Sequence, residues 1–369
     1  MSEVPTFFQQ TPQNHLVNNL AKKMQGENLR ENLLLGMGNP LLDISANVDK
    51  QFLQKYNMKE NNAILADESH KNLTGDLIDQ YKAEFIAGGS VQNTLRVAQW
   101  LLEKPRVTTF FGCVGTDKYS QILKEGAQSE GVNVIYQLND TVPTGTCAVL
   151  ITGPNRSLCA DLGAANCFTI DHIKNPANRK LIEGAQYFYI SGFFLTVSPP
   201  TILETAKHAL ANDRPFIMNL SAPFVSQLYK EPLMQVMPYI DLLFGNETEA
   251  ETFATEQNFG TKDLKEIALK ICKLPKQNEA RSRVCVITNG HNPVILARDG
   301  KITEYPVDVL TREQLVDTNG AGDAFAGGFL AQYIQEQPLD VCVRCGVWAA
   351  TQIVQRSGCT FSGKATFQP

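Results

Sequence analysis

A mostly parallel β-sheet covered by helices on both faces is the fold this sequence predicts, and three observations predict it. Short apolar runs bounded by turn residues recur along the chain, with amphipathic stretches between them. A second group of segments alternates apolar and polar residues, as the strands of a smaller, separate sheet would. Late in the chain a glycine-rich turn carrying an acid leads straight into an apolar helix, the arrangement of an anion site with a base beside it.

The elements follow in order. Residues 1–31 are rich in Gln and Asn without sustained periodicity and are expected to form a mobile or loosely helical extension, so the fold begins at Leu33. Runs 33–37, 107–114, 187–190, 216–220, 240–244 and 284–288 are the expected strands of the main sheet, with helices between them. Segments 43–48, 146–152 and 156–161 read as the small sheet, the last two joined by the turn Gly153-Pro154-Asn155. Segments 294–297 and 302–305 flank Asp299-Gly300 and read as a β-hairpin.

A chain of 369 residues, 43% hydrophobic, is long enough for a substantial core and for one large domain with an appendage. A net charge of −5 and no basic run longer than Lys22-Lys23 argue against nucleic acid or an anionic membrane as partner. No apolar run approaches the ~20 residues of a membrane span. Nine cysteines, an odd number scattered through apolar segments without a charged-then-apolar leader, point to a reducing compartment, the cytosol, with nuclear access left open. Cys342 and Cys345 make a C-x-x-C, but no second pair or nearby histidine completes a zinc set, and buried helix thiols explain them better.

The candidate chemistry centres on Asp317-Thr318-Asn319-Gly320-Ala321-Gly322-Asp323, which precedes the apolar stretch Ala324-Phe325-Ala326-Gly327-Gly328-Phe329-Leu330. Unpaired N–H groups at a helix start carry partial positive charge, and glycines let a phosphate approach them. A carboxylate there would repel the anion. It makes sense if a proton must be given up at that point, as an alcohol does when it attacks a phosphoryl group. Gly36-Met37-Gly38 is not a dinucleotide fingerprint, because Leu41 stands where the third glycine belongs. The same strand end supplies Asn39 and Asp43, and a carboxylate suits a vicinal diol. Ala87-Gly88-Gly89-Ser90-Val91-Gln92-Asn93 joins a turn to a helix and offers backbone N–H groups and Asn93 to a small polar ligand.

Asn246-Glu247-Thr248-Glu249 has the spacing of a helix capping box, and acids just past a strand end are also placed to hold Mg²⁺ through its waters. Arg156 is a surface loop residue unless the small sheet closes over the site, where a guanidinium would suit a transferring phosphoryl group. Phe193 and Phe194 follow a strand and are core candidates that could also stack on a base.

Gly88-Gly89 with Asn93, Asn246-x-x-Glu249 and Asp317-x-x-Gly320-Ala321-Gly322-Asp323 together resemble, in order and spacing, the ribokinase family of sugar and nucleoside kinases. Within that family the chain is similar to the adenosine-phosphorylating members, through Gly36-Met37-Gly38-Asn39-Pro40-Leu41-Leu42-Asp43, Pro143-Thr144-Gly145-Thr146-Cys147, Gly192-Phe193-Phe194-Leu195-Thr196 and Asn219-Leu220-Ser221-Ala222-Pro223-Phe224. The match runs from about residue 31 to the C-terminus.

The resemblance implies a ribokinase-like, doubly wound α/β domain (32–40, 88–139 and 167–369) and a small α/β lid (41–87 and 140–166). It implies a monomer that takes adenosine and ATP, with Mg²⁺ as cofactor. Asp43, Gly89 and Asn93 would hold the ribose, with Asn39 and Ser90 beside it. Leu41, Leu65, Cys147, Leu158, Leu162, Phe194 and Phe224 would enclose adenine. Asp323 would be the base, Gly320, Ala321 and Gly322 the anion hole, and Arg156 would come down with the lid. Asn246 and Glu249 would organise Mg²⁺, while Thr288, Gly290 and Asn319 would border the ATP site. A kinase for another nucleoside or a sugar, and a nucleoside-binding protein that has lost catalysis, remain alternatives at this point.

Overall fold

The computed structural model describes residues 29–60, 62–153 and 155–369. The expected extension 1–31 lies almost wholly outside the described residues, as does Pro154 of the turn between two small-sheet strands. The large sheet runs in the order Lys301–Tyr305, Asn292–Arg298, Val284–Asn289, Leu242–Asn246, Phe216–Asn219, Tyr187–Ser191, Leu34–Met37, Thr108–Gly115, Asn133–Asn139. The pairings are parallel from Val284–Asn289 onward in that order. At the other end, Asn292–Arg298 and Lys301–Tyr305 fold back antiparallel as the expected hairpin.

Both faces of this sheet are apolar, which is why its strands read as continuous hydrophobic runs. Successive residues point to opposite faces. Leu35, Phe111, Phe188 and Ile190 therefore enter one helix-covered core, while Leu34, Phe110, Tyr187 and Tyr189 enter the other. Leu34–Met37 sits where the winding reverses. The chain passes from it to Thr108–Gly115 and Asn133–Asn139 on one side, then returns with Tyr187–Ser191 on the other and continues outward. Such a reversal opens a crevice beyond the C-terminal ends of the strands. Asn39, Ser191, Asn219, Asn246 and Thr288, all at or just past strand ends, line the cavity there.

The second sheet has five strands in the order Ala63–Leu65, Asn155–Gly163, Thr144–Thr152, Leu41–Asn47, Glu84–Gly88. Alternation divides its side chains as well. Ile44, Ala46, Ala148 and Leu150 pack against Phe52, Leu53 and Leu77 of the helices Lys50–Lys55 and Leu73–Gln80. Leu41, Cys147, Leu158 and Leu162 form the opposite face, which looks into the cavity. Sequence patterning had missed Ala63–Leu65, Glu84–Gly88 and Asn133–Asn139. All three are sheet edges, where exposed polar positions dilute the apolar period.

Arg283, immediately before Val284–Asn289, is only 2% exposed. Its guanidinium donates to five main-chain carbonyls: Nε to Ile240 at 3.0 Å, Nη1 to Ile271 and Leu274 at 2.9 Å each, and Nη2 to Met237 at 2.8 Å and Pro275 at 2.9 Å. Ile240, Leu274 and Pro275 lie just past the ends of the 3-10 turn Met237–Tyr239 and the helix Leu264–Cys272, where intrahelical donors run out. A planar fork of five donors satisfies them together, with positive charge at the negative helix end. Among the described residues no helix is long and apolar enough to cross a membrane. Arg283→Met should remove a buried donor from all five carbonyls, of which Met237 and Ile271 keep main-chain partners in the Ile240 and Leu274 N–H groups, and reduce unfolding free energy by about 3 kcal/mol or more. Urea unfolding checks this, and a variant within about 0.5 kcal/mol of the parent would show that the carbonyls find other partners.

Candidate active site

The helix Ala321–Tyr333 is buried along most of its length and carries Asp323 in its first turn. Glycines fix its position, because its backbone lies too close to its neighbours for side chains. A Cβ on Gly327 would stand 2.6 Å from the Thr94 carbonyl of the helix Ser90–Leu102, and one on Gly328 would stand 2.5 Å from the Cys345 carbonyl of the helix Leu339–Ile353. Gly320 precedes the helix in the left-handed region, φ +77°, which only glycine adopts without strain. A Cβ on Gly322 would meet no atom within 4 Å, so open space lies beside this first turn, whose Ala321 N–H turns back to the Thr318 carbonyl at 3.3 Å.

Asp323 accepts from Ser90 Oγ at 2.7 Å and from Asn93 Nδ2 at 3.2 Å. Burial raises its pKa from the ordinary 3.8 to about 6, and the two hydrogen bonds limit the rise. Asp43, from Leu41–Asn47, is pushed further, to about 7, by burial first and then by the charge of Asp323, with Arg96 opposing. Its carboxyl lies on the Cα of Gly88, where any Cβ would overlap it. Gly89 follows at φ +93°, and a Cβ there would overlap the Asn39 carbonyl. The Gly-Gly pair thus brings the strand end, Asn39, Asp43 and the Ser90 helix to one point.

Glu249 is the third residue of the helix Glu247–Glu256 and forms the expected capping box. Its N–H reaches Asn246 Oδ1 at 2.8 Å, and its Oε2 accepts from the Asn246 N–H at 3.0 Å. Asn246 Nδ2 also donates to Oε1 at 2.8 Å. Burial raises this carboxyl from 4.5 to about 7, and it faces the cavity. No cluster of three or more His, Cys, Asp or Glu side chains is set to hold a metal directly among the described residues. A cation bound through water beside Glu249 and Asp323 fits their raised pKa values, since opposite charge offsets the burial penalty.

The small sheet closes over the site, so Arg156 is not a surface loop residue. It lies in Asn155–Gly163, with Nε 2.8 Å from Asp317 Oδ1 and Nη2 donating to the Val316 carbonyl at 2.9 Å. The Arg156 side chain is 8% exposed and that of Asp317 is 1% exposed. Asp317 also accepts from the Asn319 and Gly358 N–H groups, each at 2.8 Å. One carboxylate therefore joins the small sheet, the glycine-rich turn and the C-terminal segment.

Every site residue expected from sequence lines a single cavity of about 490 Å³, with two exceptions. Phe194 is the first. The 3-10 turn Gly192–Thr196 sends it into the core, fully buried and edge-on to Phe168 at 5.2 Å. Phe193 takes the cavity position instead, 6.0 Å from Phe224 at an angle of 39°. Gly290 is the second. It makes the hairpin turn beyond Asn289 at φ +56°, outside the lining, while Thr288 lies within it. Cys147 is a buried neutral thiol, its pKa driven up by desolvation. Cys342 and Cys345 are free and buried in the helix Leu339–Ile353, as expected.

Sequence reasoning assigned no role to Ser191, Asn219 or Ser221, which also line the cavity. Ser221 holds φ +71°, accepts the Gly192 N–H at 2.9 Å and donates its own N–H to Asn219 Oδ1 at 2.9 Å. The available signal was position, since each lies at or just past a strand end beside the crevice.

The residues 50–366 match the model of the pfkB family carbohydrate kinases. The chain is 49% identical over 337 residues to adenosine kinase 2 of Arabidopsis thaliana, covering 91% of this chain and 98% of that one. It is 42% identical over 328 residues to the adenosine kinase of Dictyostelium discoideum, covering 89% and 96%. Among solved structures, Anopheles gambiae adenosine kinase in complex with P1,P4-di(adenosine-5) tetraphosphate superposes with a TM-score of 0.90 at 58% identity, covering 92% of this chain and all of that one. Schistosoma mansoni adenosine kinase in complex with adenosine and AMP gives 0.86 at 35% identity, with 92% and 100% covered. The four relatives named are adenosine kinases, and the chain belongs to the pfkB family of carbohydrate kinases.

Proposed function

We propose that this protein is an ATP-dependent kinase that transfers the γ-phosphoryl group of ATP to the 5′-hydroxyl of adenosine, giving AMP. The observation that carries this reading is one cavity in which a buried base, an open helix N-terminus, a diol-sized polar corner and an apolar slot meet. The Anopheles and Schistosoma relatives bind adenosine-containing ligands, including one with an adenosine at each end of a tetraphosphate. That ligand has the polarity of two nucleoside sites with a phosphate track between them.

Asp43, Asn39 and Asn93 are assigned to the ribose, since a carboxylate can accept from two neighbouring hydroxyls. Adenine is assigned to the slot between Leu41, Leu158 and Leu162 of the small sheet and the Phe193–Phe224 pair, where an aromatic face can stack on a base. The phosphates of ATP are assigned to the first turn of the Ala321 helix, with Thr288, Asn246 and Asn319 along the same side. Glu249 and Asn246 would hold Mg²⁺ through water, and bound there it would neutralise charge on the phosphates.

Asp323, at about pKa 6, is largely ionised at neutral pH and already oriented by Ser90 and Asn93. A gap of about nine pKa units to a water-like alcohol corresponds to ~12 kcal/mol, so the proton cannot leave before attack. Asp323 orients the hydroxyl and takes its proton as the oxygen–phosphorus bond forms. The Gly320–Gly322 amides and the Arg156 guanidinium stabilise charge on the transferring group. Closure of the small sheet excludes water, which would otherwise compete as acceptor.

Incubation with labelled ATP and adenosine, guanosine or ribose tests the reading. Adenosine should be the efficient acceptor, and absence of labelled AMP would remove the proposal. Asp323→Asn should lower kcat by roughly 10²–10⁴ while a calorimetric Kd for adenosine changes little. In the parent enzyme kcat should fall as pH drops through about 6, because protonation removes the base. A profile flat to about pH 4.5 would show that no such group acts.

Phe193→Ala should raise the adenosine KM roughly tenfold and leave that of ATP nearly unchanged. Phe194→Ala should instead lower the melting temperature, as its side chain is core. The opposite pattern would return Phe194 to the base slot. Arg156→Ala should reduce kcat far more than it raises the adenosine KM. Normal turnover would reduce the arginine to a lid contact.

A further inference from the structure

Arg96 lies in the helix Ser90–Leu102, one turn beyond Asn93, and is 4% exposed. Its Nε and Nη2 fork onto Glu130, the latter 2.7 Å from Oε1. Its Nη1 donates to the Ala87 carbonyl at 2.9 Å and to Asn93 Oδ1 at 3.1 Å. The Phe361 ring packs against the guanidinium, 5.6 Å from centroid to Cζ.

An arginine has donors and no acceptor, so the Asn93 atom that faces it is the carbonyl oxygen. The NH₂ at the other end of the amide then faces Asp323, to which it donates at 3.2 Å. With the amide turned over, NH₂ would face a cation and the oxygen would face a carboxylate, both repulsive in a dry site. The network therefore has a fixed direction, from Arg96 through Asn93 to Asp323.

We propose that Arg96 is a positioning residue for phosphoryl transfer, which fixes the Asn93 amide so that a donor, and not an acceptor, meets the Asp323 carboxylate. The inference rests on Asp323 being the base. It deepens that reading by naming the residue that holds the base ready. Asp43, Glu249, Tyr189 and Cys359 also act electrostatically on or with Asp323, all as acids whose ionisation adds negative charge. Arg96 supplies opposing charge, since it lowers the pKa of Asp43. A purely structural role would only tie the helix to Glu130 and to the strand end at Ala87.

A double-mutant cycle separates the two roles. R96Q, D323N and the double variant are prepared as the full chain, and kcat, both KM values and the pH dependence of kcat are measured. R96Q should lower kcat by roughly ten- to a hundredfold, with the ATP KM within about twofold, and move the acid limb of kcat up by about one pH unit. In the D323N background the same substitution should change kcat by less than about threefold, because the group it serves is already absent. R96K, which keeps a charge and a donor, should recover most of the limb. Equal losses in both backgrounds, or an unmoved limb in R96Q, overturn the proposal. If R96Q does not fold, E130Q carries the test, since it keeps the guanidinium and weakens its anchor. Its kcat loss should be smaller and should also vanish in D323N, and an absent or undiminished loss overturns the proposal. Near-normal turnover in D323N would remove the base reading itself. Collapse in D323N with an additive R96Q effect removes only the role of Arg96.

Discussion

The burial of three carboxyl groups, Asp43, Asp323 and Glu249, around one cavity is the constraint on which the rest of the structure depends. Desolvation is the largest cause of the raised pKa in each, and Asp323 raises both of the others. A folded-state pKa above the unfolded value means that the native chain holds protons the unfolded chain has lost. Stability contributed by these groups is therefore present below about pH 4 and is lost as pH rises through about 6 to 7. At neutral pH these buried carboxyl groups work against the fold, and the core on both faces of the large sheet must offset them. Ribose hydroxyls against Asp43 and a cation near Glu249 would relieve part of that repulsion, so the substrates act on stability as well as on chemistry.

Closure depends on a second buried charge arrangement. Asp317 receives Arg156 from the small sheet, the Asn319 N–H from the glycine-rich turn and the Gly358 N–H from the C-terminal segment. A carboxylate with three donors is well compensated despite its burial. The guanidinium is therefore held at the cavity that the first turn of the Ala321 helix also lines. Asp317 and Asp323 stand at opposite ends of one seven-residue motif and do different work. The first orders the turn and the small sheet, and the second faces the cavity, where it is proposed to meet the hydroxyl.

Much of this was legible in the sequence. The apolar runs gave the parallel strands because both faces of the sheet are covered, and the glycine-rich turn before an apolar helix marked residues that line the cavity. What escaped has physical reasons. Edge strands such as Asn133–Asn139 lose the apolar pattern on their exposed side. Phe193 and Phe194 are adjacent and chemically identical, and only the 3-10 turn Gly192–Thr196 decides which enters the core. Arg96 reads as an ordinary helical arginine until the fold brings Glu130 to it across 34 positions. Arg283 likewise reads as a strand-flanking cation, and its five carbonyl partners come from segments that only tertiary structure assembles.

The glycines show how a reactive geometry can be held without reactive groups. Gly327 and Gly328 let the Ala321 helix approach two neighbouring helices at distances that admit no Cβ, and interiors packed this closely transmit displacement instead of absorbing it. Gly88 does the same for Asp43, whose carboxyl occupies the space a side chain would need. Asp323, the proposed base, and Asp43, proposed to face the ribose, are thus fixed by backbone contacts, the first on a helix and the second on the small sheet, while Ser90 and Asn93 carry the hydrogen bonds to Asp323. Misplacement by about 1 Å can cost about a hundredfold in rate, so in the proposed mechanism this backbone approach matters as much as the carboxylates. Glycine therefore stands on both sides of Asp323 for different reasons: Gly322, before it, borders open space, and Gly327 and Gly328, after it, set where the acid stands.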